Sequence, residues 1–450
     1  MKRITILIFF ISLFQTLLWA ETTVWNLNRC LHRAMEYNLG LQQTKNKEKI
    51  SQIEFSQSKW ALAPTINARS NGNVNFRRAT NQNNQITAGQ TYNLSYGLNA
   101  SMNLVDVFAD VIRVSAMRFS VLACKESNLQ VENNLLIDVI SAYSACLFKK
   151  ELMLMAEERV QLAMREKEKM ATLIELGLLP QSSLNEMQAL LSAKNLISIK
   201  AKNTYKAELL RFAQLLELPD NEGLELDENE FKLTLPVESK QNVDAIYAYA
   251  SAHFPTIKEK EYKLNYYRKM VAVKKLNYLP DLHLSGAYGS GFYSTDILPG
   301  GQTTDFSSQY QKYLNPSVGL TLGIPILNGR AQFFQHKKAK VEMKDAIVGL
   351  EMEKNQIRKE IEEALQRLNA NYVEYQFASD KLSLTQKTYN EYSEKFALGL
   401  LSAIEFNIAE AQLAEAKTDV LTAKYNWIIQ DYSLKMYMGE LSHELLIEKI

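Results

Sequence analysis

The sequence predicts an α+β membrane protein in which one structural plan occurs twice. Three observations support this class: an internal repeat along most of the chain, segments where apolar and polar residues alternate, and two helical stretches of about 70 residues each. The alternation has the period of a β-strand. The helical stretches far exceed the average of about 11 to 12 residues in globular proteins.

The N-terminus has the layout of an export signal. Lys2 and Arg3 precede an apolar run of about 15 residues, and Ala20 stands before the polar Glu21. The run is shorter than the roughly 20 residues that a membrane-spanning helix needs. We therefore expect residues 1–20 to be a signal peptide, the alternative being a retained N-terminal anchor. No cysteine stands directly after the run, so nothing suggests a lipid-anchored N-terminus.

Composition restricts the class further. The chain has 51 basic and 50 acidic residues in 450, and this balance argues against a nucleic-acid-binding protein. No second apolar run of spanning length follows the signal, so we expect any membrane crossing to use strands. The three cysteines argue against a disulfide framework. Cys124 and Cys146 fall in one predicted helix, about 33 Å apart, and cannot pair with each other.

The repeat places the same elements in the same order in both halves. A helix ends at a proline step, a hairpin follows, and a long helix, a Gly-Leu turn and a shorter helix complete the unit. The strands of each hairpin are joined by a polar loop. The predicted boundaries are a first repeat at 21–218 with its hairpin at 64–105, a connector at 219–241, a second repeat at 242–439 with its hairpin at 280–327, and a C-terminal tail at 440–450.

The clearest predicted strands surround Gly97 and Gly319. Apolar side chains take every second position there, and Asn, Ser, Thr or Gly take most positions between them. The alternating runs of about 11 to 13 residues exceed the usual 5 to 6 of globular sheets and suit a tilted membrane crossing. We expect the apolar faces to contact lipid. The lipid-facing set is Leu94, Tyr96, Leu98, Met102, Leu104, Val318, Leu320, Leu322, Ile324 and Ile326.

Four strands cannot close a barrel, and an open sheet edge in lipid leaves backbone groups without hydrogen-bond partners. Two chains would supply eight strands around an interior filled by side chains, whereas three chains supply twelve and leave room for a pore. The sequence therefore predicts a homotrimer. Alternation alone also fits a half-buried soluble sheet, so a soluble periplasmic coiled-coil scaffold stays open as an alternative from another class.

Two proline-free stretches, Asp106–Leu176 and Arg330–Leu398, are predicted as helices of roughly 105 Å each. In the second stretch apolar residues recur every seven positions from Ile361 to Phe396, interleaved with a second series from Ile357 to Tyr392. This pattern predicts the a/d seam of a coiled coil. The shorter predicted helices lie at 26–61, 182–216, 242–278 and 403–438.

With this plan, the chain resembles the TolC family of outer-membrane efflux proteins. The resemblance covers the mature sequence and rests on the doubled plan, on the two Gly-Leu turns and on the ILNGR run from Ile326 to Arg330. It implies a homotrimer in a Gram-negative outer membrane, with a twelve-stranded β-barrel and a periplasmic tunnel of twelve antiparallel coiled-coil helices. The expected function is the exit duct of a tripartite efflux pump; the outer-membrane component of type I protein secretion is the alternative within the family.

The resemblance places the closed periplasmic tip of the tunnel at the two Gly-Leu turns. A periplasmic adaptor (membrane fusion) protein is expected to dock there and to join the channel to an inner-membrane pump of the RND or ABC type. Ordinary helix caps are the competing interpretation, since glycine readily takes the positive φ that ends a helix. The residues assigned to the tip and to adaptor docking are Leu176, Gly177, Leu178, Leu398, Gly399 and Leu400.

Related proteins carry acidic residues just past the second turn, and the resemblance places these around the tunnel entrance. Glu405 matches the first such position and is the candidate gate residue. Ile408 occupies the second position, which puts a double acidic ring in doubt. A solvated helix face is the competing explanation for an isolated glutamate.

No catalytic or metal-binding pattern occurs in the sequence. The five histidines are scattered, and neither H-E-x-x-H nor C-x-x-C is present. We expect no enzymatic activity, no metal, no cofactor and no nucleic-acid partner. The energy for transport must then come from a partner protein, and outer-membrane lipid and other copies of the chain are the remaining expected contacts.

Overall fold

The structure is a computed structural model, which describes residues 24–80, 86–177, 180–219, 224–231, 234–295, 304–326, 330–398 and 400–441. For residues 77–80, 86–88 and 403 the description covers the backbone alone. The predicted signal peptide, residues 1–20, lies outside the described residues, as does most of the predicted C-terminal tail.

Helices and strands follow the doubled order in the described ranges. They are α1 (Leu27–Tyr37), α2 (Leu39–Trp60), β1 (Thr65–Thr80), β2 (Ile86–Asn103), α3 (Leu104–Glu175), α4 (Gln181–Leu215), α5 (Val243–His253), α6 (Pro255–Leu276), β3 (Asp281–Tyr293), α7 (Phe306–Lys312), β4 (Asn315–Gly323), α8 (Ala331–Ala397) and α9 (Ala403–Tyr437). The two long helices, α3 and α8, have 72 and 67 residues. Among the described helices none combines the length and the apolar character needed to cross a membrane.

Two of the shorter predicted helices are each divided in two. The predicted helix 26–61 breaks at Asn38, whose side-chain Oδ1 accepts a hydrogen bond from the Leu41 amide at 2.9 Å and so begins α2. The predicted helix 242–278 breaks before Pro255, which opens α6. Proline has no amide hydrogen and is well placed at the first position of a new helix.

The chain divides into two compact units. A sheet unit contains Lys47–Lys125 and Glu259–Met352, and a helical unit contains Met1–Asn46, Glu126–Lys258 and Glu353–Ile450. Each is described below by itself.

In the sheet unit the four strands form one antiparallel sheet in the order β1-β2-β3-β4. Even-numbered residues lie opposite one another in all three pairings: Ile66 pairs with Ala100, Ala100 with Gly286, and Gly286 with Val318. Because successive side chains point to opposite faces, the apolar series of all four strands lies on one face of the sheet, named the apolar face. The Asn, Ser, Thr and Gly series lies on the other.

Two glycines let β2 and β3 approach closely. Gly97 lies opposite Gly289 in the register. A Cβ added at Gly97 would lie 2.9 Å from the Gly289 Cα and 2.9 Å from the Tyr288 carbonyl oxygen, and one added at Gly289 would lie 2.7 Å from the Tyr96 carbonyl oxygen. A methyl group at either position would collide with backbone, so this pair requires glycine.

The short helix α7 covers part of the β3 edge. β4 begins at Asn315, opposite Gly289, so residues 290–293 have no partner from β4. The fully buried Gln309 side chain takes that place: its Oε1 accepts from the Tyr293 amide at 2.7 Å, and its Nε2 donates to the Tyr293 carbonyl at 3.2 Å. This part of the β3 edge is thereby covered. The polar loop predicted between these strands therefore contains a helix packed on the sheet.

In the helical unit the connector is anchored to Trp25, which precedes α1. Trp25 forms a parallel bridge with Leu226, and its amide donates to the Glu225 carbonyl at 2.7 Å. Tyr143 of α3 is fully buried, with its hydroxyl donating to the Asp227 carbonyl at 3.0 Å. The irregular connector thus has defined contacts to a long helix.

The predicted seam of α8 is buried over its central part, where Ile357, Ile361, Ala364 and Leu368 all lie in the core of the helical unit. Their spacing of three or four residues is that of coiled-coil packing. Cys30 and Cys146 are free thiols in the same unit, and burial raises the pKa of each to about 12. Both are therefore protonated and poorly reactive at neutral pH.

Candidate functional site

The apolar face of the sheet is largely open in the single chain. Val318, Leu320 and Leu322 of β4 are 84, 63 and 60% exposed, and Leu98 of β2 is 51% exposed. A contiguous exposed apolar surface of this kind marks a contact with another apolar body, since a soluble protein would bury it. The opposite face carries mainly small and amide side chains, which tolerate water.

Seven residues of the predicted lipid-facing set lie in strands on the apolar face: Leu94, Tyr96, Leu98, Met102, Val318, Leu320 and Leu322. Leu104 instead opens α3, because the Asn103 side chain accepts from the Val105 amide at 3.1 Å and caps the helix. Ile324 and Ile326 lie beyond the end of β4, next to Pro325, which has no amide hydrogen to donate to a strand ladder.

Tyr96 differs from the other strand residues of the set, because α7 covers it. Its ring stacks on Phe306 with centroids 5.7 Å apart and on Tyr310 with centroids 6.1 Å apart. Phe306 also lies 6.2 Å from the ring of Phe292 on β3. A small aromatic cluster therefore shields one part of the apolar face.

The two Gly-Leu turns expose leucines at the ends of α3 and α8. Gly177 has φ +73°, the left-handed conformation that ends a helix, and its amide donates to the Ile174 carbonyl at 2.9 Å. Leu176, Leu398 and Leu400 are 67, 75 and 72% exposed. The other two assigned tip residues, Leu178 and Gly399, lie outside the described residues.

Glu405 forms the capping box that begins α9. Its carboxylate accepts from the Ser402 amide at 3.0 Å and from the Ser402 hydroxyl at 2.7 Å, while its own amide donates to Ser402 Oγ at 3.2 Å. These hydrogen bonds lower the pKa of the exposed Glu405 carboxyl. Helix capping therefore accounts for a glutamate at this position, and Ile408, one turn further, is exposed.

A buried charge cluster, not anticipated from the sequence, joins three helices of the helical unit. Glu410 of α9 accepts from Arg159 Nε of α3 at 2.7 Å and from Lys194 Nζ of α4. The Glu410 and Lys194 side chains are only 9% and 4% exposed. Burial lowers the pKa of Lys194, and the hydrogen bond to Glu410 opposes that shift. The sequence offered one indication that Lys194 is buried: it lies on the same stripe of α4 as the buried Met187 and Leu191.

In the described ranges no group of three or more His, Cys, Asp or Glu side chains could hold a metal ion. The exposed surfaces described above are therefore the features from which function can be argued.

Comparison with solved structures shows which proteins share this fold. The fold matches CusC, whose structures are described as showing transmembrane channel formation, with TM-score 0.76, 17% identity, and coverage of 92% of this chain and 91% of that one. It matches the Campylobacter jejuni CmeC outer membrane channel with TM-score 0.75, 16% identity and coverage of 96% and 90%. The open Neisseria gonorrhoeae MtrE outer membrane channel gives TM-score 0.69, 18% identity and coverage of 92% and 88%. The fold is that of an outer-membrane channel subunit.

The sequence carries the signature of one family in its second half. Residues 246–440 match the family described as outer membrane efflux protein. No curated protein matches the chain. The second half of the chain thus matches this family, and the fold of the chain is shared with solved outer-membrane channels. The resemblance recognised in the sequence is confirmed, as is the predicted combination of long helices with a small antiparallel sheet.

Proposed function

We propose that three copies of this chain form the exit duct of a tripartite efflux pump, through which substrates leave the cell passively. The observation that carries this proposal is the four-stranded sheet with one exposed apolar face. β1 and β4 are its edge strands, and neither has a second strand partner among the described residues. In lipid such edges require pairing, because unpaired backbone groups there cost several kcal/mol each.

Trimerisation satisfies both edges. β1 and β4 are antiparallel in direction, so β4 of one copy can pair with β1 of the next. Twelve strands then enclose a pore, whereas eight would leave an interior filled by side chains. The polar series of each strand would line this pore, and the apolar series would contact outer-membrane lipid.

The two Gly-Leu turns are proposed to meet the rest of the pump. The exposed leucines of the two Gly-Leu turns are proposed to receive a periplasmic adaptor, which connects the duct to an inner-membrane pump. Exposed apolar side chains at helix ends suit docking, because covering them with a partner removes apolar surface from water. The pump supplies the energy, and the duct itself performs no chemistry.

The proposal is tested by fractionation and by conductance. The chain should be recovered with outer membranes, migrate as a trimer after detergent extraction, and give discrete current steps in a planar lipid bilayer. A monomer recovered entirely in the soluble periplasmic extract would refute the proposal. A membrane-extracted trimer without conductance would refute the open duct but leave the barrel.

A further inference from the structure

The polar face of the sheet bears an arginine in a row of small side chains. Arg69 of β1 lies opposite Gly97 of β2, which lies opposite Gly289 of β3, and Gly289 lies opposite Asn315 of β4. All four belong to the odd-numbered series, so they share the polar face. Because neither glycine has a side chain, β2 and β3 place nothing over the guanidinium in this row, and Arg69 is exposed.

The charge of Arg69 has no counter-charge nearby. Its guanidinium forms no ion pair with any residue that the structure describes. The polar-face positions of β2 from Gly89 to Asn103, and all those of β4, hold only Asn, Ser, Thr and Gly. The described carboxylate of this face, Asp281, begins β3, eight residues before Gly289 and about 26 Å away along the strand. That distance is about three Debye lengths at physiological ionic strength, so Asp281 does not compensate the arginine.

Assembly of the proposed duct would not neutralise this charge. The inference rests on the proposed function, in which β1 of one copy pairs with β4 of the next and the polar face lines the pore. The polar face of β4 offers no carboxylate, so the neighbouring copy brings no partner for Arg69. Threefold symmetry would place three copies of Arg69 at one level. Twelve strands about 4.8 Å apart and tilted by about 40° enclose a lumen about 24 Å across, so every point of it lies within about 12 Å of the wall.

We propose that the three Arg69 side chains form a cationic ring inside the barrel, which favours anionic over cationic solutes at this level of the duct. A pore whose wall carries one sign of charge raises the local concentration of ions of the opposite sign. The effect extends over roughly one Debye length, about 10 Å at 0.1 M salt. The planar guanidinium matches carboxylate and phosphate groups, so organic acids and phosphorylated solutes are the class expected to be enriched at the ring.

The test measures the local potential with a reporter thiol. Asn71 lies two residues beyond Arg69 on the same face, and the reporter chain carries Asn71→Cys with Cys124→Ser, since Cys30 and Cys146 are buried. Trimers in liposomes are treated with an anionic methanethiosulfonate, the sulfonatoethyl reagent, or with a cationic one, the trimethylammonioethyl reagent. The ratio of the anionic to the cationic rate constant is divided by the same ratio for free cysteine in solution.

Two variants of the reporter chain lose the same charge from different faces. Arg69→Gln removes it from the polar face, whereas Lys312→Gln removes it from α7, which packs on the apolar face against Tyr96. Arg69→Lys keeps the charge, and Arg77, at another position of the odd-numbered series, is unchanged in every variant. Arg69→Thr takes the place of Arg69→Gln if that variant does not assemble, because threonine suits a strand.

A unit charge roughly 8 Å away, screened by about 0.1 M salt, changes the normalised ratio about twofold. We therefore expect Arg69→Gln to lower the ratio about twofold or more, and Lys312→Gln and Arg69→Lys to keep the value of the reporter chain. The ratio of the reporter chain should also fall towards one at about 1 M salt, where the Debye length is about 3 Å. An unchanged ratio in Arg69→Gln, or an equal loss in Lys312→Gln, would overturn the cationic ring. A thiol at position 71 that neither reagent reaches in an assembled trimer would instead overturn the proposed water-filled duct.

Discussion

The buried charge cluster makes a strong prediction about stability. Replacing Glu410 by alanine removes the partner of Lys194, whose side chain is 4% exposed, and leaves its ammonium in the core of the helical unit. Breaking a buried ion pair by removing one partner costs about 3 to 5 kcal/mol, because the remaining charge is uncompensated. Arg159 suffers less, since its side chain is 23% exposed and can reach water.

This free energy converts to a shift in melting temperature. The 450 residues less the predicted 20-residue signal leave about 430 residues, and at about 2.1 cal/mol/K per residue their unfolding entropy is about 0.9 kcal/mol/K. Glu410→Ala should therefore lower the Tm by roughly 3 to 6 °C per chain in a cooperative transition. Circular dichroism of the helices in detergent measures it.

Glu415 supplies a matched control in the same helix. Its side chain is 67% exposed and pairs with Lys381 at 3.0 Å. An exposed pair contributes at most about 1 kcal/mol, so Glu415→Ala should shift the Tm by about 1 °C or less. The double variant Glu410→Leu with Lys194→Met should recover most of the loss, because apolar replacement of a buried pair is often neutral. Equal shifts for the two alanine variants would refute the reasoning.

The Glu410→Ala defect should also depend on pH. Burial lowers the pKa of Lys194, and loss of the Glu410 hydrogen bond lowers it further. Because the pKa of Lys194 is lower in the folded chain than in the unfolded chain, the unfolded chain binds more protons between these two pKa values. Stability therefore rises as pH rises towards 10.5, the pKa of an ordinary lysine. The Tm deficit of Glu410→Ala relative to the parent should shrink between pH 7 and pH 10. A deficit that grows over this range would contradict a buried charged lysine as its cause.

Three further changes probe the sheet and the tip. Gly97→Ala should destabilise the sheet by about 1 to 3 kcal/mol through backbone collision and reduce the heat resistance of the proposed trimer in SDS gels. Gly72→Ala, where a Cβ would meet only Leu94 Cδ1 at 3.8 Å, should have neither effect, and equal behaviour of the two variants would contradict the close approach of β2 and β3. Leu400→Asp should weaken binding of the proposed adaptor about tenfold or more. Leu384→Asp, at a similarly exposed residue of α8, should leave binding unchanged. Unchanged adaptor binding by Leu400→Asp would exclude this turn from the docking site. Glu405→Gln should weaken block of the single-channel current by divalent cations, and unchanged block would remove Glu405 from the entrance gate.

Periodicity in the sequence predicted those parts of the fold that one periodic face determines. Strands β2 and β4 could be predicted because every second residue is apolar. The central seam of α8 could be predicted because its apolar residues recur at intervals of three and four residues. The ends of the two strands were predicted less accurately. Asn103 caps α3 and so ends β2, and Pro325 lacks the amide hydrogen that would extend β4. Such local competition shifts a boundary without altering the period.

Helix α7 could not be predicted in the same way. Its seven residues are too few to show a helical period, and an isolated helix of this length is not stable in water. Asp305 offers a local signal, since its side chain caps the helix by accepting from the Ser308 amide at 3.0 Å. What holds α7 is the Gln309 contact to the β3 edge, and nothing in a polar loop sequence identifies a glutamine that will replace a strand.

Two glutamates near the start of α9 lie in different surroundings. Glu405 and Glu410 are five residues apart, and a helix of 3.6 residues per turn places them about 140° apart around the axis. That rotation puts Glu410 near the buried stripe that includes Phe406, Ala409 and Leu413, whereas Glu405 stays in solvent with Ser402. Glu405 therefore caps α9, and its role at the tunnel entrance stays a prediction. Glu410 has a structural role that the sequence analysis did not assign, since a buried carboxylate persists only where cations from neighbouring helices meet it.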